Sequence, residues 1–280
     1  MIEKRKKLYT NITFAFLCAL AALFLVPIAL VFINSFKSRL YVSSAPFALP
    51  FGEMGVGLEN YINGLSASGF LQSFLRSVFI SVAGVLLIIV CTSMTAWYIV
   101  RVKGKITQGL YYLFVFSMIV PFQMVMYTMA FVVNRLHFDN VFGIVFVYLG
   151  FGAGLAVFMF TGFIKGVPLE IEEAASIDGC NPLQTFFIVV FPMLKPTAIT
   201  ISILNAMWIW NDYLLPYLVL GTQKKTVPVA IQLAMQGAYG ATDYGGFMAM
   251  LVLAIIPIII FYIASQKYII KGVIAGAVKG

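Results

Sequence analysis

Charge is scarce in this chain. Asp, Glu, Lys and Arg make up 10% of its 280 residues, against roughly 25% in an ordinary soluble domain. Histidine is scarcer still: His137 stands alone, which excludes His-rich zinc sites, the H-E-x-x-H helix and di-iron bundles. The cysteines Cys18, Cys91 and Cys180 form no C-x-x-C pair, so neither a disulfide framework nor a thiolate metal site is indicated. No G-x-x-x-x-G-K-[ST] run occurs, and the chain cannot bind a nucleotide by that device. Internal repeats, heptads and low-complexity tracts are also missing.

What fills the chain instead is apolar: 62% of the residues are hydrophobic, where globular chains carry roughly 45–50%. The excess is linear. No charge falls between positions 8 and 36, and the stretch 12–32 is long enough, at about 1.5 Å per residue, to cross a hydrocarbon core of about 30 Å. The basic Lys4-Arg5-Lys6-Lys7 before it resembles a secretory n-region, but the apolar run exceeds the roughly 7–15 residues of a signal h-region. A retained anchor is expected. Further runs at 79–100, 110–133, 141–164, 198–220 and 247–263 bring the total to six. The expected fold is an all-α integral membrane protein of six transmembrane helices with both termini on one side.

Lysine and arginine settle which side, since short loops rich in them stay cytoplasmic. With the N-terminus inside, twelve basic residues lie within, among them Arg101, Lys103, Lys105, Lys165 and Lys195, and six lie outside. Trp97-Tyr98 and Tyr111-Tyr112 flank the basic loop 101–105 at the depth where interfacial aromatics gather. An N-in, C-in layout follows: a basic cytoplasmic start (1–11), a helical membrane body (12–266) with an inner loop at 165–196, and a cytoplasmic tail (267–280). The outer segment 34–76, with Pro46, Pro50 and several glycines, is expected to be irregular or to form short amphipathic helices. The glycines of span four, including Gly150 and Gly154 at G-x-x-x-G spacing, fit either a kinked helix or close packing against a partner subunit.

The inner loop is the most informative part of the chain. Pro168 suits a first helical turn, and Glu170, Glu172 and Glu173 would lie near the positive end of the helix that follows. Gly179 stops that helix. Asn181-Pro182 restarts one by N-cap and N1 chemistry, and Phe186, Phe187 and Val190 offer it an apolar face. Ala174 and Ala175 would give the first helix a low-profile surface for another protein to approach.

Glu173-Ala174-Ala175, then Gly179, then Val189-Val190-Phe191-Pro192 resembles the EAA loop of ATP-binding-cassette importer permeases. Asp178-Gly179, Pro192-Met193-Leu194-Lys195-Pro196, Trp210-Asn211-Asp212-Tyr213, Leu58-Glu59-Asn60-Tyr61 and the terminal run from Ala275 to Gly280 extend the likeness to the sugar permeases of the maltose and oligosaccharide type. His137-Phe138-Asp139 stands where those permeases usually have a glycine-containing turn. The resemblance implies the type I importer permease fold and a carbohydrate-importing assembly in a bacterial or archaeal cytoplasmic membrane. Its partners would be a second permease, two ATP-binding-cassette ATPases that bind ATP and Mg, and an extracytoplasmic solute-binding protein. This chain would bind no cofactor, catalyse nothing itself and contact no nucleic acid. Glu173, Ala174, Ala175, Asp178, Gly179 and Pro192 would couple it to the ATPases. Gln236, Gly237 and Gly240 would belong to a loop reaching the binding protein, and Gly276, Lys279 and Gly280 to a tail contacting the ATPases.

Span five carries an intramembrane carboxylate, Asp212, costly enough near a helix centre (about 2.5–3.5 kcal/mol) that it must face protein or water. At helical spacing Asn205, Trp208 and Asp212 would share a face, with Asn211 beside it. That face fits a sugar path, or interhelical hydrogen bonding. The rival function is a secondary transporter relaying protons or sodium through Asp212, which would call for more acids within the spans and a pseudo-repeat.

Overall fold

The computed structural model describes residues 2–234 and 243–277. Its helices, in chain order, are α1 (Ile2–Asn34), α2 (Arg39–Ser44), α3 (Glu59–Ser68), α4 (Phe70–Arg101), α5 (Lys105–Ile119), α6 (Phe122–Arg135) and α7 (Gly143–Ile164). There follow α8 (Glu170–Ile177), α9 (Pro182–Gln184), α10 (Phe191–Met193), α11 (Lys195–Asn211), α12 (Leu214–Leu220), α13 (Val227–Ala234) and α14 (Tyr244–Ala277). A π-helical turn, Thr185–Val190, joins α9 to α10. Among the described residues there is no strand, only an isolated bridge between Lys37 and Gly55.

Four segments are long and apolar enough to cross a membrane: Tyr9–Asn34, Phe70–Arg101, Gly143–Ile164 and Tyr244–Tyr268. Two bent pairs, α5 with α6 and Pro182–Met193 with Lys195–Asn211 (77°), bring the number to six when each is counted as one span. Span three is not the continuous helix the apolar run implied. It breaks between α5 and α6 with a bend of 108°, because Pro121 has no N–H to give and forces Val120 into an extended conformation (ψ 115°). The run expected as span five, 198–220, is interrupted too, apart from the 77° bend that precedes α11. Asp212 leaves α11 with ψ 120°, and α12 begins two residues later. In span two α4 starts nine residues before the apolar run at Phe79, and Ser73 and Ser77 in that extension are buried.

The contacts divide the chain into two compact units, Met1–Phe70 with Ala230–Pro257 and Leu71–Val229 with Ile258–Gly280. In the first, the segment between α1 and α4 folds into α2, a 3-10 turn at Gly52–Met54 and α3, as its composition implied. Asn60 Nδ2 donates to the carbonyls of Ser35 and Lys37, both at 2.8 Å, and Tyr61 OH lies 2.6 Å from Ser35 Oγ. The Asn60-Tyr61 pair thus fastens α3 to the chain leaving α1. Lys37 is wholly buried and donates through Nζ to the carbonyls of Ala45 (2.7 Å) and Pro46 (3.2 Å), and burial lowers the pKa of its ammonium below the ordinary lysine value.

The second unit is built round α7, whose Tyr148, Ala156, Val157, Phe160 and Ile164 have no exposed surface. Close approach explains two of its glycines, Gly152 and Gly154, whereas a Cβ at Gly150 or Gly162 would meet nothing within 4 Å. A Cβ at Gly152 would stand 2.6 Å from Ile88 Cδ1 of α4 and 2.8 Å from Asn205 Oδ1 of α11. One at Gly154 would meet Ser117 Oγ and the Phe114 carbonyl of α5 at 2.6 and 2.8 Å. At these two positions the partner of the small residues is the chain itself, rather than a second subunit.

Candidate functional site: an anchored loop and a break in span five

The loop at 165–196 follows its local chemistry, except that Pro168 lies outside α8, which begins at Glu170 with Leu169 as its N-cap. Glu170, Glu172 and Glu173 occupy the first turn of α8, where carboxylates meet the unpaired N–H groups and the positive end of the helix dipole. The helix closes at Gly179, which takes φ 86°, while the N–H groups of Asp178, Gly179 and Cys180 return to the carbonyls of Ala174, Ser176 and Ala175 at 3.0 to 3.1 Å. Asn181 restarts the chain through a reciprocal cap. Its Oδ1 accepts from Gln184 N, its own N–H donates to Gln184 Oε1, both at 2.9 Å, and Pro182 fills N1. Phe186, Val190 and Leu194 then bury fully. Phe187 does not join that apolar face: it is 45% exposed, its ring against Phe186 and Phe191.

What holds α8 in place is a residue that the pattern of glutamates did not single out. Glu172 is buried (6% exposed) and its carboxylate accepts from Trp97 Nε1 at 2.9 Å and from Arg101 Nε and Nη2 at 2.9 and 2.6 Å. The same Nη2 donates to the Val167 carbonyl at 3.0 Å, in the turn leading into α8. Trp97 also lies over Phe186, with ring centroids 5.4 Å apart. One guanidinium and one indole therefore tie the loop to the end of α4. The signal in the sequence is Arg101, an arginine among the lysines of the loops at 101–105 and 165–196.

The face turned away from this anchor carries the residues expected to couple. Glu173, Ala174, Asp178, Gly179 and Pro192 are exposed, whereas Ala175 is 7% exposed and packs inward with Glu172. Ala174 and Ala175 do not make one outward surface, because successive helical residues diverge by about 100°.

Span five does not keep Asn205, Trp208 and Asp212 on one helical face, since the helix ends at Asn211. Asp212 Oδ1 accepts from the N–H groups of Leu214 (3.0 Å) and Leu215 (3.3 Å), opening α12, and Oδ2 accepts from Tyr148 OH of α7 at 3.1 Å. Trp208 stands edge-on to Tyr148 with centroids 5.3 Å apart. Trp208 and Asp212 thus meet on Tyr148. Asn205 is buried beside Gly152 and bonds back to the Ile201 carbonyl, while Asn211 is exposed and bonds back to Met207. The structure shows the interhelical bond for Asp212. Gln236, Gly237, Gly240, Lys279 and Gly280 lie outside the described residues, and Gly276 falls in the backbone of α14.

Apolar segments of membrane-crossing length, joined by a helical loop pinned beneath them, define a multi-pass membrane protein. Residues 84–275 match the family described as binding-protein-dependent transport system inner membrane component, and the chain belongs to that family. It is 38% identical over 261 residues (93% of each chain) to a probable starch degradation products transport system permease protein of Thermoanaerobacterium thermosulfurigenes. It is 34% identical to a multiple sugar-binding transport system permease protein of Streptococcus mutans, over 99% of this chain and 100% of the relative. In fold it is similar to a chain of a bacterial transporter that imports alginate, with TM-score 0.77 at 23% identity over 94% of this chain and 96% of that one.

Proposed function

We propose that this chain is the permease subunit of an ATP-driven importer of carbohydrate, of the oligosaccharide class. It forms the translocation path with a second, homologous permease. Two ATP-binding-cassette ATPases, which hold ATP and Mg, dock on its loop at 165–196, and an extracytoplasmic solute-binding protein delivers the sugar. ATP hydrolysis belongs to those partners, and both termini lie in the cytoplasm. The sugar class is supported by the starch-product and multiple-sugar relatives, and by a melibiose, raffinose and stachyose import permease of Bacillus subtilis, 32% identical over 80% of this chain and 82% of the relative.

The carrying observation is the division of the inner loop into an anchored side and a free side. Glu172 holds α8 to Arg101 and Trp97, and Phe186, Val190 and Leu194 root the following segment in the core. Glu173, Ala174, Asp178 and Gly179 stay available for the ATPases. A push on that free side displaces α8, and the guanidinium passes the displacement to α4. Packed interfaces have discrete arrangements, so such a shift becomes a change of access rather than a local yielding. A secondary transporter is disfavoured by Asp212 itself. Both its oxygens accept hydrogen bonds within the chain, which gives it the role of a cap and a tie. Trp208 and Asn211, both exposed, remain the groups of span five offered to a sugar.

The test is uptake of labelled maltooligosaccharide into vesicles holding the chain with its co-purifying subunits. Uptake should require ATP on the loop side and binding protein on the other, and survive collapse of proton and sodium gradients. Gradient-driven uptake without ATP would overturn the proposal.

A further inference from the structure

At the end of spans two, three and four opposite the outer loops lies a cavity of about 540 Å³. Arg101, Lys103 and Lys165 line it, with Tyr111, Tyr112 and Thr161, and no acidic residue does. Lys165 Nζ sits over the Tyr111 ring at 5.6 Å from its centroid. The Arg101 guanidinium is held in place by the bonds its Nε and Nη2 make to Glu172 and Val167, and its Nη1 has no partner among the described residues. Gly104, also in the lining, is the N-cap of α5 and makes no side-chain cap, so the first amides of that helix add the positive end of its dipole. Thr161 is 2% exposed, and its hydroxyl has no partner among the described residues.

A fixed guanidinium, two lysine ammonium groups and an uncapped helix start make up a phosphate-binding set. The surroundings say which phosphate. Gln108 and Tyr112 line the cavity on one face of α5, and the same face continues at four- and three-residue steps with Phe116 and Ile119, which are 64% and 72% exposed. A ligand seated by its phosphate would meet an apolar strip running away along the span. We propose that this cavity binds the phosphate headgroup of an anionic phospholipid, whose acyl chains lie along the exposed face of α5. That the lipid comes from the cytoplasmic leaflet rests on the orientation proposed above; the binding does not. Because Arg101 serves both the cavity and Glu172, the bound headgroup adjoins the anchor of the coupling loop.

The experiment uses the full chain with its co-purifying subunits in nanodiscs of phosphatidylcholine, with and without phosphatidylglycerol, followed by native mass spectrometry of the lipid retained on release. Phosphatidylglycerol should be retained selectively by the parent. Lys103→Gln with Lys165→Gln should lower retention about 25-fold, at about a fivefold loss for each cation removed near a membrane surface, with the melting temperature in pure phosphatidylcholine unchanged. Lys224→Gln with Lys225→Gln, on the outer loop, should retain lipid as the parent does. Excess inorganic phosphate should not displace the lipid; displacement would assign the site to free phosphate. Equal retention by the parent and the Lys103/Lys165 variant would overturn the site, whatever the transport assay gives.

Discussion

Replacing Glu172 with Gln keeps the shape of the side chain and removes the charge that holds α8. The carboxylate accepts three hydrogen bonds, two of them from a guanidinium, and the paired side chains are 8% and 19% exposed. Losing one partner of a well-buried pair costs about 3–5 kcal/mol. Arg101 retains some solvent and the amide oxygen still accepts, so a value near the lower end, about 3 kcal/mol, is expected. At a factor of ten per 1.4 kcal/mol this raises the detached population of the loop about 150-fold. Hydrogen exchange of the α8 amides in nanodiscs reads that change directly, since local opening governs their protection. Arg101→Gln should act alike, and the double variant should cost less than the two combined, because residues in one network couple. Exchange within threefold of the parent in Glu172→Gln, or strict additivity, would refute the anchor.

Gly179→Val places a β-branched residue at φ 86°, a strain of about 1–2 kcal/mol; ATP-dependent sugar uptake should fall while the protein still reaches the membrane, and normal uptake would remove the bend from the mechanism. His137 holds φ 58° in a turn where Phe138 N returns to the Val133 carbonyl at 2.9 Å, so His137→Gly should raise the melting temperature by relieving up to about 1 kcal/mol; a lower melting temperature would contradict this. Gly152→Leu should abolish assembly of the second unit, read as loss of a monodisperse peak in detergent, because its Cβ alone would overlap Ile88 and Asn205. A cysteine replacing Lys103 should be labelled only from the cytoplasmic side, and external labelling in intact cells would invert the topology.

Local chemistry made part of this legible. Gly179, Asn181 and Pro182 act within a few residues of themselves, so the bend and restart of the loop at 165–196 could be read from their order, as could the helical, membrane-spanning class of the chain from its apolar runs. The breaks were hidden for a different reason: Pro121 and Asp212 sit inside runs whose hydropathy stays high, and hydropathy does not register a missing N–H or a side chain that caps the next helix. Glu172 was harder again. Its partner Arg101 is 71 residues away, and only the packing of α8 beneath α4 distinguishes it from its neighbours Glu170 and Glu173. His137 runs the other way, since the departure from a glycine-containing turn was visible but its left-handed backbone was not.

The central claim is that the free side of the inner loop is the docking surface for an ATPase, and a photo-crosslinking residue at Glu173 tests it most directly. Irradiated in the assembled complex, that residue should join the chain to an ATP-binding subunit, while the same residue at Lys224 should not. A crosslink to the ATPase from Lys224 with none from Glu173 would contradict both the orientation and the coupling role of the loop.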